Sequence, residues 1–504
     1  MKRLAAVFMA MATVAFAQVT FHPHIPRTFD AEALSSTEVP LATPEASPVQ
    51  ISPEVYYRAP VRPIYRSYPV YHPGREPAGY FEWLAQQEPQ IVFDPANLHT
   101  MEDWIRAGEL VFDAPTVFGG ISGSENNQFL RDVRWYQDTQ APIAADGSLP
   151  FYRYVIREKG KIEVGVLSCS MCHTRVMVDK SVVKGAQGNF PFDRALALEY
   201  RGGTRPLNVI RGLEDMLYAA PWVHSDPVSS PSPSSIEEIA ARHEAIPAGV
   251  MARHGTSPLY PAKVPDLIGI KDRRYLDATG LVRHRDIGDL MRYAAMNQDT
   301  DTAAVYGRFK PADELIRALG IPLPGDAAAI RGGRYSDEQL YALAAYIYSL
   351  QPPANPNKFD ALAERGQKVF ERERCGSCHT PPLYTNNKLT LATGFTPPEE
   401  DQARFDVLPV SVGSDPNLAL RTRRGTGYYK VPSLKGVWYR GPFEHNGSVA
   451  TLEDWFDPRR LSDNYVPTGF KGSGVKTRAV KGHIFGLNLS ADDKRALIAF
   501  LKTL

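Results

Sequence analysis

The sequence predicts a mainly α-helical protein in which two related units follow one another in tandem, with few short strands and an extended arm at the N-terminus. Three observations lead to this fold class. The chain has 504 residues, which is too long for one ordinary core. Helix-like segments with the same ending recur in both halves, and a helix-capping sequence precedes the last helix of each half. We therefore expect two packed units of similar helical design.

The charge balance excludes some functional classes. Lys and Arg number 57, Asp and Glu number 56, and the formal net charge is +1. A nearly neutral chain offers no general attraction to nucleic acid or to an anionic membrane surface. We therefore expect no nucleic-acid partner, and the function has to be inferred from local sites.

Residues 1–17 have the organisation of a secretory signal peptide. Basic residues at Lys2 and Arg3 precede an apolar run, and the small residues Ala15 and Ala17 mark a cleavage site before Gln18. The apolar run is shorter than the roughly 20 residues that cross a bilayer, and an uncleaved anchor is the alternative. We expect a periplasmic or secreted product with no membrane span after removal of the signal.

Residues 18–89 form the next segment and are rich in Pro, Ser and Tyr. They show neither the helical nor the strand period. We predict an extended arm that lies across the folded body. For roughly its first forty residues the alternative is a disordered tether.

The rest of the chain is predicted to form two units, residues 90–353 and 354–504. Each unit opens with a helix-like segment, at residues 99–112 and 361–370, and both segments end in Gly-x-x-Val-Phe. This shared order of elements indicates that the two units arose by duplication.

Two further repeats support the duplication. Capping sequences that begin at Ser336 and Ser490 each open the last helix of a unit. Between the opening and closing helices, Lys263-Val264-Pro265 in the first unit matches Lys430-Val431-Pro432 in the second. The two units are therefore expected to share one architecture.

Each unit contains one Cys-x-x-Cys-His string. The strings comprise Cys169, Cys172 and His173 in the first unit and Cys375, Cys378 and His379 in the second. Two thiols one helical turn apart can bond to the two vinyl groups of a haem, while the adjacent histidine reaches the iron. Cys-x-x-Cys alone also serves zinc and redox sites, but here two strings use every cysteine of the chain. We therefore predict two covalently bound haem c groups, each in a cytochrome c-type domain with its histidine as the proximal ligand.

The sixth ligand of the second haem is expected in the loop before the last helix, which covers that face of the iron in the cytochrome c architecture. No methionine occurs after residue 296, and the loop contains His483. His483 is therefore the predicted ligand. The alternative is His445, which lies in a turn-rich stretch expected near a haem edge.

The first unit lacks an equivalent histidine. Between residues 286 and 336 there is none, and the methionines there are Met291 and Met296. A first haem without a strong sixth ligand could bind peroxide or dioxygen. The alternative is that Met291 or Met296 closes the iron.

Three residues are the candidates for an open distal pocket at the first haem. Tyr275, His284 and Arg285 lie in the part of the first unit that corresponds to the stretch around His445. They could supply a proton donor and a cation to a bound oxidant. The alternative is that residues 283–285 are only the solvated, charged start of a helix.

Several of these segments together resemble a known family. Residues 430–434 and 441–454, combined with the two Cys-x-x-Cys-His strings, are similar to the bacterial di-haem cytochrome c peroxidase superfamily. That superfamily includes the methylamine-utilisation di-haem enzymes and the di-haem rubber oxygenases. The likeness covers roughly residues 100–504 and is strongest over 360–504.

The C-terminal segment resembles one branch in particular. Residues 481–486, followed by Leu489 and Ser490, are similar to the rubber oxygenases. In that branch a histidine near the C-terminus ligates the second haem, and the first haem is the oxygen site. The ordinary peroxidases have methionine at this position, and the methylamine branch has tyrosine.

The resemblance implies a redox enzyme. A small oxidant, peroxide or dioxygen, would be reduced or activated at the first haem, and electrons would arrive through the second haem from a small redox protein. Two alternatives are a dioxygenase that acts on an apolar organic substrate and a plain electron carrier with both irons closed.

Overall fold

The computed structural model describes residues 21–30, 38–121, 128–223, 233–253, 255–300, 303–313 and 333–504. The predicted signal peptide, residues 1–17, lies outside the described residues. Helix exceeds strand, and the α-helices are Pro53–Arg58, Tyr80–Ala85, Met101–Asp113, Val133–Thr139, Cys169–Cys172, Phe192–Gly202, Leu207–Tyr218, Ile236–Glu244, Ile287–Ala295, Asp337–Ser349, Ala361–Arg372, Glu399–Arg404, Asn417–Leu420, Leu452–Trp455 and Ala491–Lys502. Within these ranges we find no helix with the length and apolarity needed to traverse a bilayer.

The strands form several small sheets. An antiparallel four-stranded sheet has the order Ser67–Tyr71, Ser148–Glu158, Lys161–Val166, Val117–Phe118, and a three-stranded sheet has the order Val407–Leu408, Leu389–Leu391, Tyr428–Lys430. Two-stranded ladders pair Pro48–Val49 with Val305–Tyr306, Thr174–Val176 with Val182–Lys184, Val250–Met251 with Ala262–Lys263, and Tyr275–Leu276 with Val282–Arg283.

The longest hairpin differs from the expectation of few short strands. Ser148–Glu158 spans 11 residues and pairs with Lys161–Val166, with Glu158 opposite Lys161 and Gly160 at a φ of +83° in the turn. Buried side chains follow one another along the first strand without alternation. A strand that is covered on both faces loses the period of two, so the sequence pattern did not indicate it.

The N-terminal arm is more structured than predicted. It contains the helices Pro53–Arg58 and Tyr80–Ala85, and its strand Ser67–Tyr71 forms one edge of the four-stranded sheet. Tyr56 and Val70 are both 0% exposed. The prediction of an extended arm without helix or strand is therefore wrong for these residues, because their aromatic and aliphatic side chains complete the core of the body.

The hydrophobic core has separate parts. One part surrounds the first pair of long helices and includes Phe112 and Leu340. A second lies on the four-stranded sheet and includes Phe151. A third joins Phe370 to Phe500 in the last 150 or so residues, and their rings lie 5.4 Å apart between centroids.

The predicted helix caps are confirmed. Ser336 Oγ accepts a hydrogen bond from the Gln339 N–H at 3.1 Å, and Gln339 Oε1 accepts one from the Ser336 N–H at 2.9 Å. Ser490 Oγ accepts from the Asp493 N–H at 3.2 Å. These bonds satisfy N–H groups that a helix start leaves without partners, which is why both closing helices begin where they do.

The opening and closing helices of each predicted unit pack against one another at a glycine. A Cβ atom added to Gly108 would lie 1.9 Å from the carbonyl oxygen of Ala342, and one added to Gly366 would lie 1.9 Å from that of Ala496. The two helix pairs therefore cross at the same point with the same contact. Glycine is needed there because the backbones approach too closely for any side chain.

We expect the substitutions Gly108→Ala and Gly366→Ala each to lower the free energy of unfolding by about 3 kcal/mol, because the helices must separate to admit a methyl group. Urea unfolding followed by circular dichroism measures this. The matched control is Gly202→Ala at the end of another helix, where an added Cβ meets no atom within 4 Å. That control should stay within about 1 kcal/mol of the natural protein. Equal midpoints for Gly108→Ala and Gly202→Ala would contradict the prediction.

Candidate functional site

The first Cys-x-x-Cys-His string forms a single helical turn. Ser168 caps the helix Cys169–Cys172, since its Oγ accepts from the Met171 N–H at 3.2 Å. The His173 N–H donates to the Cys169 carbonyl at 2.9 Å. Both thiols and the imidazole are thereby held on one turn, which is the arrangement that attachment of a haem requires.

The second string adopts the same local shape. Cys375–Ser377 is a 3-10 turn, and the His379 N–H donates to the Cys375 carbonyl at 2.9 Å. All four cysteines are free thiols. Burial raises the pKa of Cys169 to about 12 and that of Cys375 to about 11. The thiols of Cys169 and Cys375 are therefore protonated at neutral pH.

The two histidines that were predicted to be proximal ligands are oriented by backbone carbonyls. His173 Nδ1 donates to the Pro265 carbonyl at 3.0 Å, and His379 Nδ1 donates to the Tyr384 carbonyl at 3.2 Å. The Pro432 backbone also lies near the His379 ring and partly offsets the effect of burial on its pKa. A proton held on Nδ1 leaves Nε2 free to bind a metal. Pro265 and Pro432 occupy the same position of the repeated Lys-Val-Pro segment. In both halves of the chain, this segment therefore lies beside the histidine of the Cys-x-x-Cys-His string.

His379 and His483 face each other. Their ring centroids lie 6.3 Å apart with an interplanar angle of 54°. Metal–imidazole bonds are about 2.0–2.1 Å long and a ring nitrogen lies about 1 Å from its centroid, so the gap accommodates one metal ion between the two rings. His483 Nδ1 is buried without a hydrogen-bond partner among the described residues. These residues fit a haem iron with two histidine ligands.

Burial controls the protonation of these histidines. It lowers the pKa of His173 to about 4. Burial, followed by the neighbouring His379, lowers the pKa of His483 to about 4 as well. Burial also lowers the pKa of His379. All three imidazoles are therefore neutral at pH 7, which is the form that ligates a metal.

The alternative ligand, His445, is engaged elsewhere. Its Nδ1 lies 2.6 Å from Glu444 Oε2, and its ring stacks on Tyr429 at a centroid distance of 4.4 Å. Burial by itself raises the pKa of Glu444, but the charge and hydrogen bonds of His445 outweigh it and lower the pKa to about 2. The structure thus brings His379 together with His483, and joins His445 to Glu444.

A cavity of about 970 Å³ opens beside the first string. Cys169, Cys172 and His173 line it. Most of the other lining side chains are apolar, among them Ile51, Val55, Leu196, Leu217, Leu290 and Ile347. A cavity of this size with an apolar lining and a neutral histidine fits a haem.

The residues that line the cavity are the candidates for a sixth ligand of a haem bound there. The described lining holds no histidine besides His173, and its methionines are Met216 and Met251. Met291 and Met296, the methionines considered from the sequence, are not part of the lining and are buried in the core at 0% and 5% exposure. Met216 and Met251 lie outside the segment before the closing helix, so the sequence pattern did not indicate them.

The predicted distal residues lie elsewhere. Tyr275, His284 and Arg285 line a second cavity of about 380 Å³, and none of them lines the cavity beside Cys169. The expectation that they surround the first haem is therefore not met by the described residues.

Each of these three side chains has a local partner. His284 Nδ1 lies 2.7 Å from the Arg273 carbonyl, and its Nε2 lies 2.6 Å from the Tyr348 hydroxyl. Arg285 forms an ion pair with Asp289 at 2.9 Å. Because both imidazole nitrogens are already hydrogen-bonded within the same unit, His284 is not available to a ligand in the first cavity.

A charged network that the sequence did not indicate reaches the first cavity. Arg253 lines the cavity and pairs with Asp277 at 2.6 Å, and Asp277 also pairs with Arg424 at 3.0 Å. The hydroxyl of Tyr293, another lining residue, donates to Asp277 at 2.9 Å. Burial alone would raise the pKa of Asp277, but the two arginines lower it well below its usual range. These residues are far apart in the sequence, so no local motif predicted the network.

A buried histidine lies behind the same cavity. His243 is 0% exposed; its Nδ1 is 2.7 Å from Asp193 and its Nε2 is 3.0 Å from Glu214. The hydroxyl of Tyr200, which lines the cavity, donates to Glu214 at 2.9 Å. Burial by itself lowers the pKa of His243, but the two carboxylates outweigh it and raise the pKa to about 10.

This arrangement predicts a pH-dependent stability. The folded-state pKa of His243, about 10, exceeds its ordinary value of 6.5, so its stabilisation is complete below pH 6.5 and is lost as the pH rises through about 10. We expect the free energy of unfolding to fall over that interval, and to fall less in His243→Gln. Urea unfolding at a series of pH values measures it. His99 is exposed, and His99→Gln is the control. Its free energy of unfolding should depend on pH as that of the natural protein does. Parallel pH profiles for the natural protein and both variants would contradict the prediction.

Comparisons with known proteins add independent information. No protein-family model matches the chain. The methylamine utilization protein MauG of Methylorubrum extorquens is 28% identical over 148 residues, or 29% of this chain and 35% of that protein. The cytochrome-c peroxidase IdrP1 of Denitromonas iodatirespirans is 25% identical over 198 residues, or 33% of this chain and 49% of that protein. The chain thus spans half the length or less of these curated relatives.

Among solved structures, the hydrazine synthase of Kuenenia stuttgartiensis is similar over 61% of this chain and 92% of that chain, with 16% identity and a TM-score of 0.27. The similarities in sequence to MauG and to the cytochrome-c peroxidase, together with the two Cys-x-x-Cys-His turns, show that this chain resembles the haem proteins of the di-haem cytochrome c peroxidase and MauG superfamily.

Proposed function

We propose that this protein is an exported di-haem c-type oxidoreductase that reduces or activates peroxide or dioxygen at its first haem and receives electrons through its second. One observation carries the proposal. The second string has a histidine pair, His379 and His483, at a spacing suited to one iron, whereas the first string opens into a large cavity whose described lining holds no second histidine. Such asymmetry separates a closed relay from an open reaction site.

The residues that would hold the two haems are those of the strings. The thiols of Cys169 and Cys172 would anchor the first, and those of Cys375 and Cys378 the second, with His173 and His379 as proximal ligands. A bound haem supplies the redox chemistry and the position for a small oxidant. The protein supplies anchoring, orientation and burial.

Polar groups at the first cavity suit the reduction of an oxidant. Reduction of peroxide consumes protons and develops negative charge on oxygen, so a cation and a proton donor are required nearby. The Arg253 guanidinium and the Tyr293 hydroxyl both belong to the lining, and Asp277 orients both. We assign the charge-stabilising role to Arg253, which Asp277 and the Tyr293 hydroxyl hold in position, instead of the residues chosen from the sequence.

The second string is placed to exchange electrons with a small redox protein. Cys375 and Cys378 are partly buried, as are Cys169 and Cys172. The loop of His483 carries Ile484 and Phe485, which are 62% and 55% exposed, and the Phe485 ring lies 5.3 Å from that of His483. An exposed apolar edge of this kind suits brief contact with a donor.

A second candidate function is a dioxygenase that acts on an apolar organic substrate. The predominantly apolar lining of the 970 Å³ cavity favours it, because such a substrate would need an apolar path to the first haem. Among the described lining residues, Met216 and Met251 are the methionines that could close the first iron in a plain electron carrier.

Low-temperature electron paramagnetic resonance of the ferric holoprotein tests the proposal. We expect one high-spin and one low-spin signal, and added cyanide should convert only the high-spin one. Met216→Leu and Met251→Leu serve as matched variants and should leave the high-spin signal in place. Two low-spin signals in the natural protein, with a high-spin signal produced by either variant, would support the electron carrier instead.

Turnover separates the two enzymatic functions. Hydrogen peroxide added to the fully reduced protein should oxidise both haems rapidly, with no organic substrate present. Dioxygen uptake that depends on an added apolar olefin, with slow oxidation by peroxide, would favour the dioxygenase.

A further inference from the structure

A single buried arginine holds the loop that carries His483. Arg460 is 2% exposed, and its guanidinium donates to the carbonyls of Val480 at 2.7 Å, Gly482 at 2.9 Å and His483 at 2.8 Å. Its Nε donates to the Trp455 carbonyl at 2.9 Å. The side chain of Arg460 therefore donates hydrogen bonds to four backbone carbonyls, three of which belong to the loop.

The loop needs such support because its backbone is strained. Gly482 has a φ of +86° and His483 a φ of +43°, so a residue with a side chain occupies the left-handed region. That conformation costs about 1 kcal/mol or more outside glycine. The His483 N–H donates to the Val412 carbonyl at 2.7 Å, and a Cβ at Gly482 would lie 2.3 Å from the Ser414 nitrogen. The loop is thus held between residues 412–414 on one side and Arg460 on the other.

The contacts of Arg460 are unusual for a buried cation. Among the described residues no carboxylate lies in ion-pair contact with it, and its hydrogen bonds go to backbone carbonyls. A buried charge that is compensated only by carbonyls is costly unless its hydrogen bonds are well placed. Only the planar guanidinium, with five donors in a fixed arrangement, can reach all four carbonyls, so lysine cannot substitute fully.

Arg460 also fixes the aromatic wall of His483. Its guanidinium carbon lies 5.5 Å from the centroid of the Trp455 ring, and that ring meets the His483 ring at 5.1 Å, edge to face. The same side chain therefore determines both the backbone of His483 and the surface against which its imidazole packs.

We propose that Arg460 is the positioning residue that aims His483 at the iron of the second haem. The inference deepens the proposed function and rests on it, since it takes His379 and His483 as the ligands. Without the guanidinium the loop relaxes from its strained conformation, and the imidazole no longer remains at ligand distance opposite His379. Arg460 acts through His483 and has no contact with substrate.

The experiment compares the ferric holoproteins of Arg460→Ala, Arg460→Lys and His483→Ala by low-temperature electron paramagnetic resonance. His483→Ala should lose the low-spin signal of the second haem. Arg460→Ala should lose most of it, and Arg460→Lys should show a smaller loss with shifted g-values. Arg460→Lys also covers the case in which the alanine variant does not fold.

Arg423 provides the matched control. It is 1% exposed and likewise donates to several backbone carbonyls, those of Asp215, Met216 and Ala219 at the end of the helix Leu207–Tyr218. Arg423→Lys should lower the unfolding midpoint by an amount similar to that of Arg460→Lys and leave the low-spin signal of the second haem unchanged. A merely structural role for Arg460 predicts no difference between these two variants in the spectrum.

The outcomes distinguish the inference from the function beneath it. Loss of the low-spin signal in His483→Ala together with an unchanged signal in both Arg460 variants would overturn the inference alone. An unchanged signal in His483→Ala would overturn the proposed ligation and the inference with it. Loss of the signal in Arg423→Lys to the same extent as in Arg460→Lys would also overturn the positioning role.

Discussion

The double substitution of Cys169 and Cys172 by alanine is expected to leave the protein with one covalent haem in place of two. The two thioether bonds proposed for the first haem would require both thiols, and the structure holds these on one turn next to His173. Haem content per chain, from the pyridine haemochrome spectrum, and the mass of the denatured chain measure the result.

The matched variant substitutes Cys375 and Cys378 by alanine. It should also retain a single haem, and each double variant should lose a different spectroscopic species. The Cys169 and Cys172 variant should lose the signal that responds to cyanide, and the Cys375 and Cys378 variant the low-spin signal. Retention of two covalent haems in either double variant would show that the strings do not serve attachment.

Substitution of His483 has the second large expected effect. In His483→Met the iron of the second haem should stay six-coordinate, but its reduction potential should rise, because methionine opposite histidine favours the ferrous state. In His483→Ala the low-spin signal should disappear. Spectroelectrochemical titration measures the potential, and the resonance spectrum gives the spin state.

His445→Ala is the control for this prediction. The His445 ring pairs with Glu444 and stacks on Tyr429, so its removal should change neither the spin state nor the potential of the second haem beyond a small electrostatic effect. If His445→Ala abolished the low-spin signal while His483→Ala preserved it, the ligand would be the alternative considered from the sequence.

Most of the local features of the site could be predicted from the sequence. The spacing of cysteine and histidine in each string specifies one helical turn, and the structure contains that turn twice. The capping sequences at Ser336 and Ser490 specify where helices begin. The repeated Lys-Val-Pro segment predicted a shared architecture, and in the structure Pro265 lies beside the ring of His173 and Pro432 beside that of His379.

Side chains in the first cavity could not be predicted in the same way. Tyr275, His284 and Arg285 were chosen by analogy of position between the two units, yet they line another cavity. Arg253 and Tyr293 were not chosen, because only the pairing of Asp277 with Arg253 and Arg424 reveals their role. Equivalent positions in a duplicated fold share the same backbone conformation. Which side chains face a cavity depends instead on the other segments of the chain that pack around it.

The distinction has a physical basis. Turns, caps and attachment motifs arise from hydrogen bonds between residues close in the chain, so their spacing alone specifies them. Three other features join residues that are distant in the sequence. They are the facing rings of His379 and His483, the glycine contacts between paired helices, and the hydrogen bonds from Arg460 to the loop of His483. Such contacts depend on how the cores pack, and packing is decided by shape and burial across the whole molecule.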